Sequence, residues 1–145
     1  MKNMDIVKAK QEDYDQIMAV WESSVKATHD FLKQEDFEFY KQAIPKDYLP
    51  NLDVYVFRSD RTVVGFMSVA EGNLEMLFIA GNLRGKGYGR TMLEYAIRKL
   101  NATKVDVNEQ NTQAVEFYKR FGFKVVGRTD KDSEGRDYPI LNMAL

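Results

Sequence analysis

The sequence predicts an α/β (α+β) fold, a single domain over residues 1–145 with elements in the order β-α-α-β-β-β-α-β-α-β-β. Three observations predict it. Apolar residues recur at helical spacing in segments that alternate with runs of β-branched and aromatic residues. One such run, Leu74 to Ala80, is apolar on both faces apart from Glu75, as expected of a central strand covered by helices. A glycine-rich turn, Arg84-Gly85-Lys86-Gly87-Tyr88-Gly89, then joins that strand to the helical pattern Arg90 to Leu100.

Each element has its own signal. Ile6-Val7 begin the first strand, and Tyr14, Ile17, Met18, Trp21 and Val25 repeat at helical spacing to about His29. A second helix, roughly Gln34 to Ala43, is expected to end before Pro45, and Pro50-Asn51 punctuates the entry to the sheet. Val54 to Arg58 and Thr62 to Ala70 form a hairpin about Ser59-Asp60-Arg61, and Glu71-Gly72-Asn73 turns into the central strand. Helix Gly87 to Leu100 directs Met92, Leu93, Ala96 and Leu100 inward. Strand Lys104 to Asn108, helix Asn111 to Phe121 and strands near Phe123 to Arg128 and Tyr138 to Ala144 complete the chain. The last helix is expected to bury Ala114, Phe117 and Phe121, with Tyr118 on the margin facing a cleft.

Composition sets the limits. Of the 145 residues 44% are hydrophobic, enough for a real core. With no cysteine there are no disulfides, no thiolate metal sites and no acetyl-cysteine intermediate. Nothing in Met1 to Lys10 has the apolar core of a signal peptide, and the longest apolar runs fall short of the ~20 residues that span a bilayer. A soluble, cytoplasmic protein without a membrane partner is therefore expected. A net charge of -1 gives no global field to recruit nucleic acid. Between Arg84 and Lys104, however, six basic residues face the single acid Glu94, a local charge of +5 that leaves -6 on the remainder.

That local charge coincides with the glycine turn. A strand, glycine turn and helix start converge backbone N–H groups and the positive end of the helix dipole on one anion. Arg84, Lys86 and Arg90 lie where cations oppose the dipole, and a phosphate partner explains them. Two nucleotide motifs are excluded: a P-loop needs Lys-Ser or Lys-Thr where Arg90-Thr91 stands, and Gly85-x-Gly87-x-Gly89 is not G-x-G-x-x-G.

The spacing R-x-x-G-x-G resembles the loop signature of the GCN5-related N-acetyltransferases, the GNAT family. Asn111-Thr112-Gln113-Ala114-Val115-Glu116-Phe117-Tyr118, followed by Gly122-Phe123, is similar to the family's second signature, N-x-x-A-x-x-F-Y with G-F, at the usual distance. The pieces Trp21-x-x-Ser24-Val25, Ala27-Thr28-His29-Asp30-Phe31-Leu32, Val107 to Asn111 and Tyr138-Pro139-x-Leu141-Asn142 resemble the small bacterial YjaB-type acetyltransferases in particular. Two departures stand out. Gly81 occupies a position where proline is frequent, and Arg84 replaces the commoner glutamine.

The resemblance implies the GNAT fold, a mixed, mostly antiparallel twisted sheet of about seven strands with four helices on both faces. It implies acetyl-CoA as co-substrate, no metal, and an amine acceptor, either a protein lysine or a small amine. A homodimer stands open beside a monomer. Cofactor contacts fall on Arg84, Gly85, Lys86, Gly87, Tyr88, Gly89 and Arg90 for the pyrophosphate, on main-chain groups of Leu77, Phe78 and Ile79 for the pantetheine, and on Asn111, also a candidate helix N-cap. The alternative is a non-catalytic acyl-CoA sensor with the same fold.

Acetyl transfer to an amine makes three demands. The acceptor, an alkylammonium of pKa ~10.4, must lose a proton. Charge developing on the carbonyl oxygen must be stabilised, for which N–H groups of the Leu74 to Ala80 strand qualify. The departing thiolate must be protonated, and the resemblance gives that role to Tyr118. For the base, Glu75 is the first candidate, on the expectation that it shares a strand face with Leu77 and Ile79 and is buried there. His29, the only histidine, is the second, as base or acceptor ligand, with Glu109 a further acceptor-side residue.

Overall fold

The structure, a computed structural model, describes residues 4–145. Residues 1–3, the start of the stretch read above for a signal-peptide core, lie outside the described residues. The elements follow the expected order: β1 (Met4–Lys8), α1 (Tyr14–Thr28), α2 (Gln34–Ala43), β2 (Val54–Ser59), β3 (Thr62–Ala70), β4 (Asn73–Ile79), α3 (Tyr88–Lys99), β5 (Lys104–Asn108), α4 (Thr112–Arg120), β6 (Lys124–Thr129) and β7 (Ile140–Ala144). They build one seven-stranded sheet in the order β1-β2-β3-β4-β5-β7-β6, antiparallel throughout except between β4 and β5. No helix among the described residues is long and apolar enough to cross a membrane.

Each face of the sheet carries its own core. On one, α1 buries Ile17, Val20, Trp21 and Val25, the three- and four-residue spacing of an amphipathic helix, against Val56 and Phe66. Trp21 stacks on Phe37 of α2 at 5.2 Å between ring centroids. On the other face Met92, Leu93 and Ala96 of α3 and Val115 and Tyr118 of α4 cover Met67, Leu74, Val105 and Met143. Each fully buried side chain of this size contributes roughly 1.5–3 kcal/mol, so both helix pairs are fixed firmly to the sheet.

Two irregularities of β4 shape the site. β4 and β5 pair only at Asn73 with Lys104 and Leu74 with Val105, then part toward their C-terminal ends. In addition, β4 carries a bulge: Met76 pairs with Ser68 but Leu74 with Val69, which makes Glu75 the extra residue. The alternation therefore inverts, and Leu77 and Ile79 pack toward α3 and α4 while Met76 and Phe78 pack toward α1 and α2. Glu75 does not share a face with Leu77 and Ile79, and it is exposed.

One other expectation changes. In α4 the buried pair is Val115 and Tyr118, 7% and 6% exposed, whereas Ala114, Phe117 and Phe121 are only half-buried. The chain folds back after the helix, with Phe123 N–H donating to the Tyr118 carbonyl and the Phe123 ring packing edge-on against Tyr118, which turns the 115/118 face to the sheet. α2 ends at Ala43, before Pro45 as expected, and a π-turn, Ile44–Tyr48, follows it directly. Gly81 has a local cause. A Cβ there would lie 2.7 Å from the Ser23 carbonyl, and its N–H, which proline would lack, donates to Ser23 Oγ at 2.8 Å.

Candidate active site

The gap between β4 and β5 opens into a cleft of about 640 Å³ running from the glycine turn to α4. Its floor is the unpaired edge of β4. Ala80 N–H donates to the Val64 carbonyl, so in the alternating antiparallel ladder Phe78 and Met76 also bond to β3. The main-chain groups of Leu77 and Ile79 consequently face the gap, where β5 has already diverged. Those of Phe78 do not, and Phe78 contributes its ring instead.

Gly85 and Gly87 at the turn have φ of +77° and +85°, with nothing within 4 Å of where a Cβ would stand. That left-handed backbone turns successive N–H groups outward. The N–H groups of Tyr88, Gly89 and Arg90, in the first turn of α3, have no hydrogen-bond partner among the described residues. Arg84 and Arg90 line this end of the cleft; Arg84 reaches the Ala27 carbonyl at 3.4 Å, and Arg90 is paired with Glu94 at 3.1 Å. Lys86 is exposed and does not line the cleft.

On the opposite wall Asn111 caps α4, its Oδ1 accepting from Ala114 N–H at 3.3 Å, and it borders the cleft. Two turns further on, Tyr118 also borders it. Its ring is held edge-on between Phe117 and Phe123, and its hydroxyl has no hydrogen-bond partner among the described residues. Burial raises the phenol above its ordinary value of 10, so the group stays protonated.

A second cavity, of about 550 Å³, lies on the other side of β4. Trp21, Val25, Leu32, Ile44, Leu52, Met76 and Phe78 give it apolar walls, and among the described residues Asp47, Glu75 and Asp132 bring carboxylates to it while no lysine or arginine does. Its roof is the segment between β6 and β7, which folds back onto α2 and the π-turn. Tyr40 donates to Asp132 and Tyr48 to Glu134. Asp36, buried, accepts from both Arg136 and Tyr138, and the Tyr138 hydroxyl accepts from Lys33 N–H at 3.0 Å. The Tyr138 and Arg136 donors hold the Asp36 carboxyl below the usual carboxylate range despite burial.

Among the described residues only His29 and Phe78 line both cavities, their rings 6.5 Å apart. His29 caps the C-terminal end of α1, its N–H donating to the Val25 carbonyl at 2.7 Å. Burial lowers its pKa from 6.5 to about 4, outweighing the opposite pull of Asp30, so the ring is neutral near pH 7. This has a stability signature. Above pH 6.5 the imidazole is neutral in both folded and unfolded chains; as pH falls from 6.5 to about 4 only the unfolded chain gains the proton, so stability is lost across that window. The loss is at most about 3 kcal/mol, roughly 2 of it by pH 5. Urea unfolding at pH 7 and pH 5 is expected to show a smaller acid loss in His29→Gln than in the parent; equal losses would contradict the neutral, half-buried ring.

Of the acceptor-side residues expected from sequence, His29 lies at the junction and Glu75 at the rim of the second cavity, exposed at the bulge and without the burial expected of it. Glu109 lines neither cavity. Its carboxylate grips Arg128 through both oxygens, at 2.6 and 3.1 Å, which holds it below its usual range. Tyr40, Tyr48 and Asp132 were not anticipated, because their pairings join residues up to 92 positions apart. Among the described residues no group of three or more metal-binding side chains occurs.

Comparison with known proteins fits this geometry. Residues 10–144 match the family model for an acetyltransferase (GNAT) domain. The chain is 39% identical over 142 residues to the peptidyl-lysine N-acetyltransferase YjaB of Escherichia coli (strain K12), covering 97% of this chain and 96% of that protein. The solution structure of apo-form YjaB from Escherichia coli superimposes with a TM-score of 0.89, covering 98% of this chain and 97% of that one. The fold is also that of the PaiA N-acetyltransferase from Thermoplasma acidophilum, solved in complex with coenzyme A, with a TM-score of 0.72 at 22% identity over 99% of both chains.

Proposed function

The chain belongs to the GNAT acetyltransferase family, and we propose that it transfers the acetyl group of acetyl-CoA directly to the side-chain amine of a lysine in a protein or peptide. One observation carries this reading: two cavities on opposite faces of β4 share His29 and Phe78, so a thioester in one and an amine in the other would meet there. The first cavity suits the cofactor. The outward N–H groups of the glycine turn, Arg84 and Arg90 would hold the pyrophosphate, and the free main-chain edge at Leu77 and Ile79 would receive the pantetheine amides as an added strand does. Bound there, acetyl-CoA supplies an acetyl group activated as a thioester.

The protein's own residues then divide the work. The N–H groups facing the gap donate to the carbonyl oxygen as it gains charge. His29, neutral, accepts the proton that the amine sheds as its nitrogen bonds to carbon. Tyr118 donates to the departing sulfur. Asn111 keeps the start of α4 in place and borders the pantetheine path. The second cavity suits a lysine: apolar and aromatic walls match its four-carbon stem and favour the uncharged amine, and the three carboxylates attract the cation that arrives. The relatives named as peptidyl-lysine acetyltransferases support the same acceptor class.

Mass spectrometry of lysine peptides incubated with the protein and acetyl-CoA tests this, with acetylation expected on the side-chain nitrogen and none when lysine is replaced by norleucine. Glu75 now has an electrostatic role at the rim. Glu75→Gln is expected to raise KM for a lysine peptide about two- to fivefold at low salt, with the difference shrinking at high salt. Acetyl-CoA affinity and the acidic limb of the pH profile should be unchanged. A flattened acidic limb in Glu75→Gln would return the base to Glu75 and remove it from His29.

A further inference from the structure

Thr28 precedes His29 and ends α1, and its hydroxyl sits between two partners: the Ser24 carbonyl at 2.8 Å and His29 Nδ1 at 2.6 Å. A hydroxyl has one proton to give and lone pairs to receive with. If that proton pointed to Nδ1, the Thr28 and Ser24 oxygens would face each other at 2.8 Å with no hydrogen between them, two negative dipole ends in a partly buried place. The proton therefore lies on the line to the Ser24 carbonyl, one helical turn back, a bond that threonine makes readily in helices. The second contact is then satisfied only by an N–H on the imidazole. A neutral imidazole carries one N–H, and which nitrogen bears it is set by the hydrogen bond at the other.

We infer that Thr28 is a positioning residue that fixes the tautomer of His29, keeping the proton on Nδ1 and leaving Nε2 as the bare, proton-accepting nitrogen of a residue that lines both cavities. The inference rests on His29 as the proton acceptor in the proposed reaction, but the tautomer itself is measurable without any reaction. Burial, which keeps the ring neutral, makes the tautomer matter, since a doubly protonated ring would have no lone pair to set. Helix geometry supplies the precision. Thr28 Oγ1 is anchored to the last turn of α1, whose other face is buried against the sheet, so the hydroxyl cannot drift from the ring without breaking that anchor.

Nitrogen-15 NMR of the side chain tests this directly, because the chain has a single histidine and its two ring signals cannot be confused with any other. In the intact protein near pH 7.5 the protonated nitrogen is expected to be Nδ1 and the bare one Nε2. Thr28→Val, similar in shape but without the hydroxyl, should release the ring toward the Nε2–H form, whereas Thr28→Ser should keep the parent spectrum. Turnover on a lysine peptide should follow the tautomer: kcat at least about tenfold lower in Thr28→Val, KM for both substrates nearly unchanged, and most of kcat restored in Thr28→Ser. A bare Nδ1 in the parent, or a Thr28→Val spectrum identical to it, would overturn the inference. If the tautomer changes as expected and kcat does not, the tautomer lock stands and the assignment of His29 as base falls.

Discussion

Replacing Tyr118 by phenylalanine is expected to lower turnover by about 10²-fold to 10⁴-fold, while acetyl-CoA affinity and the fold change little. Little change in fold follows from the packing: the ring alone fills the space between Phe117 and Phe123, and the hydroxyl has no hydrogen-bond partner among the described residues to leave stranded. The large change in rate follows from the chemistry. Burial keeps the phenol protonated well past neutral pH, so a donor is always present. Because its pKa lies above that of a thiol, ~8.5, the phenol acts chiefly by hydrogen-bonding the sulfur as charge grows there. A hydrogen bond to an ionised acceptor is roughly twice as strong as one between neutral groups, and burial strengthens it further. Single-turnover mixing of the enzyme–acetyl-CoA complex with a lysine peptide separates this from product release. An unchanged rate would show that water protonates the sulfur.

The second large effect is expected at the glycine turn. Gly87→Val should weaken acetyl-CoA binding at least tenfold, for two distinct reasons. Gly87 has φ of +85°, where a β-branched residue is strained by roughly 1–2 kcal/mol, so the turn relaxes and its N–H groups lose their common direction. The side chain also enters the open space that the structure keeps clear, where phosphate oxygens must approach the backbone. Calorimetric titration with acetyl-CoA measures the first consequence and thermal unfolding the second, a modest loss of stability confined to the turn. Undiminished affinity in a folded variant would place the pyrophosphate elsewhere.

The parts of the site that can be read from sequence are those built from adjacent residues. The glycine turn and the helix after it are contiguous, and so are Asn111 and its cap, so their geometry follows from local backbone preferences. Element order and most boundaries were legible for the same reason. Glu75 was misplaced because a period of two assumes an unbroken ladder, and a single bulged residue inverts every face beyond it. Tyr118 was expected at the edge of α4 because several three- and four-residue stripes can be drawn on so aromatic a helix. The return of Phe123 selects the stripe that is buried. The roof of the second cavity was invisible. Bonds from Tyr40 to Asp132 and from Asp36 to Tyr138 depend on a segment arriving from the far end of the chain, and neither partner carries a local signal of the other.

In the proposed reaction the acetyl group passes in one step between cavities that meet at His29 and Phe78. Rapid-quench analysis of radiolabelled acetyl-CoA tests it most directly, first with the protein alone and then with a lysine peptide added. The prediction is that no coenzyme A is released and no label joins the protein until the peptide arrives, after which label appears on the peptide lysine in a single phase matching coenzyme A release. Label on the protein before the peptide is added would contradict direct transfer, and tight binding of acetyl-CoA with no label ever reaching a lysine would identify a sensor instead of an enzyme.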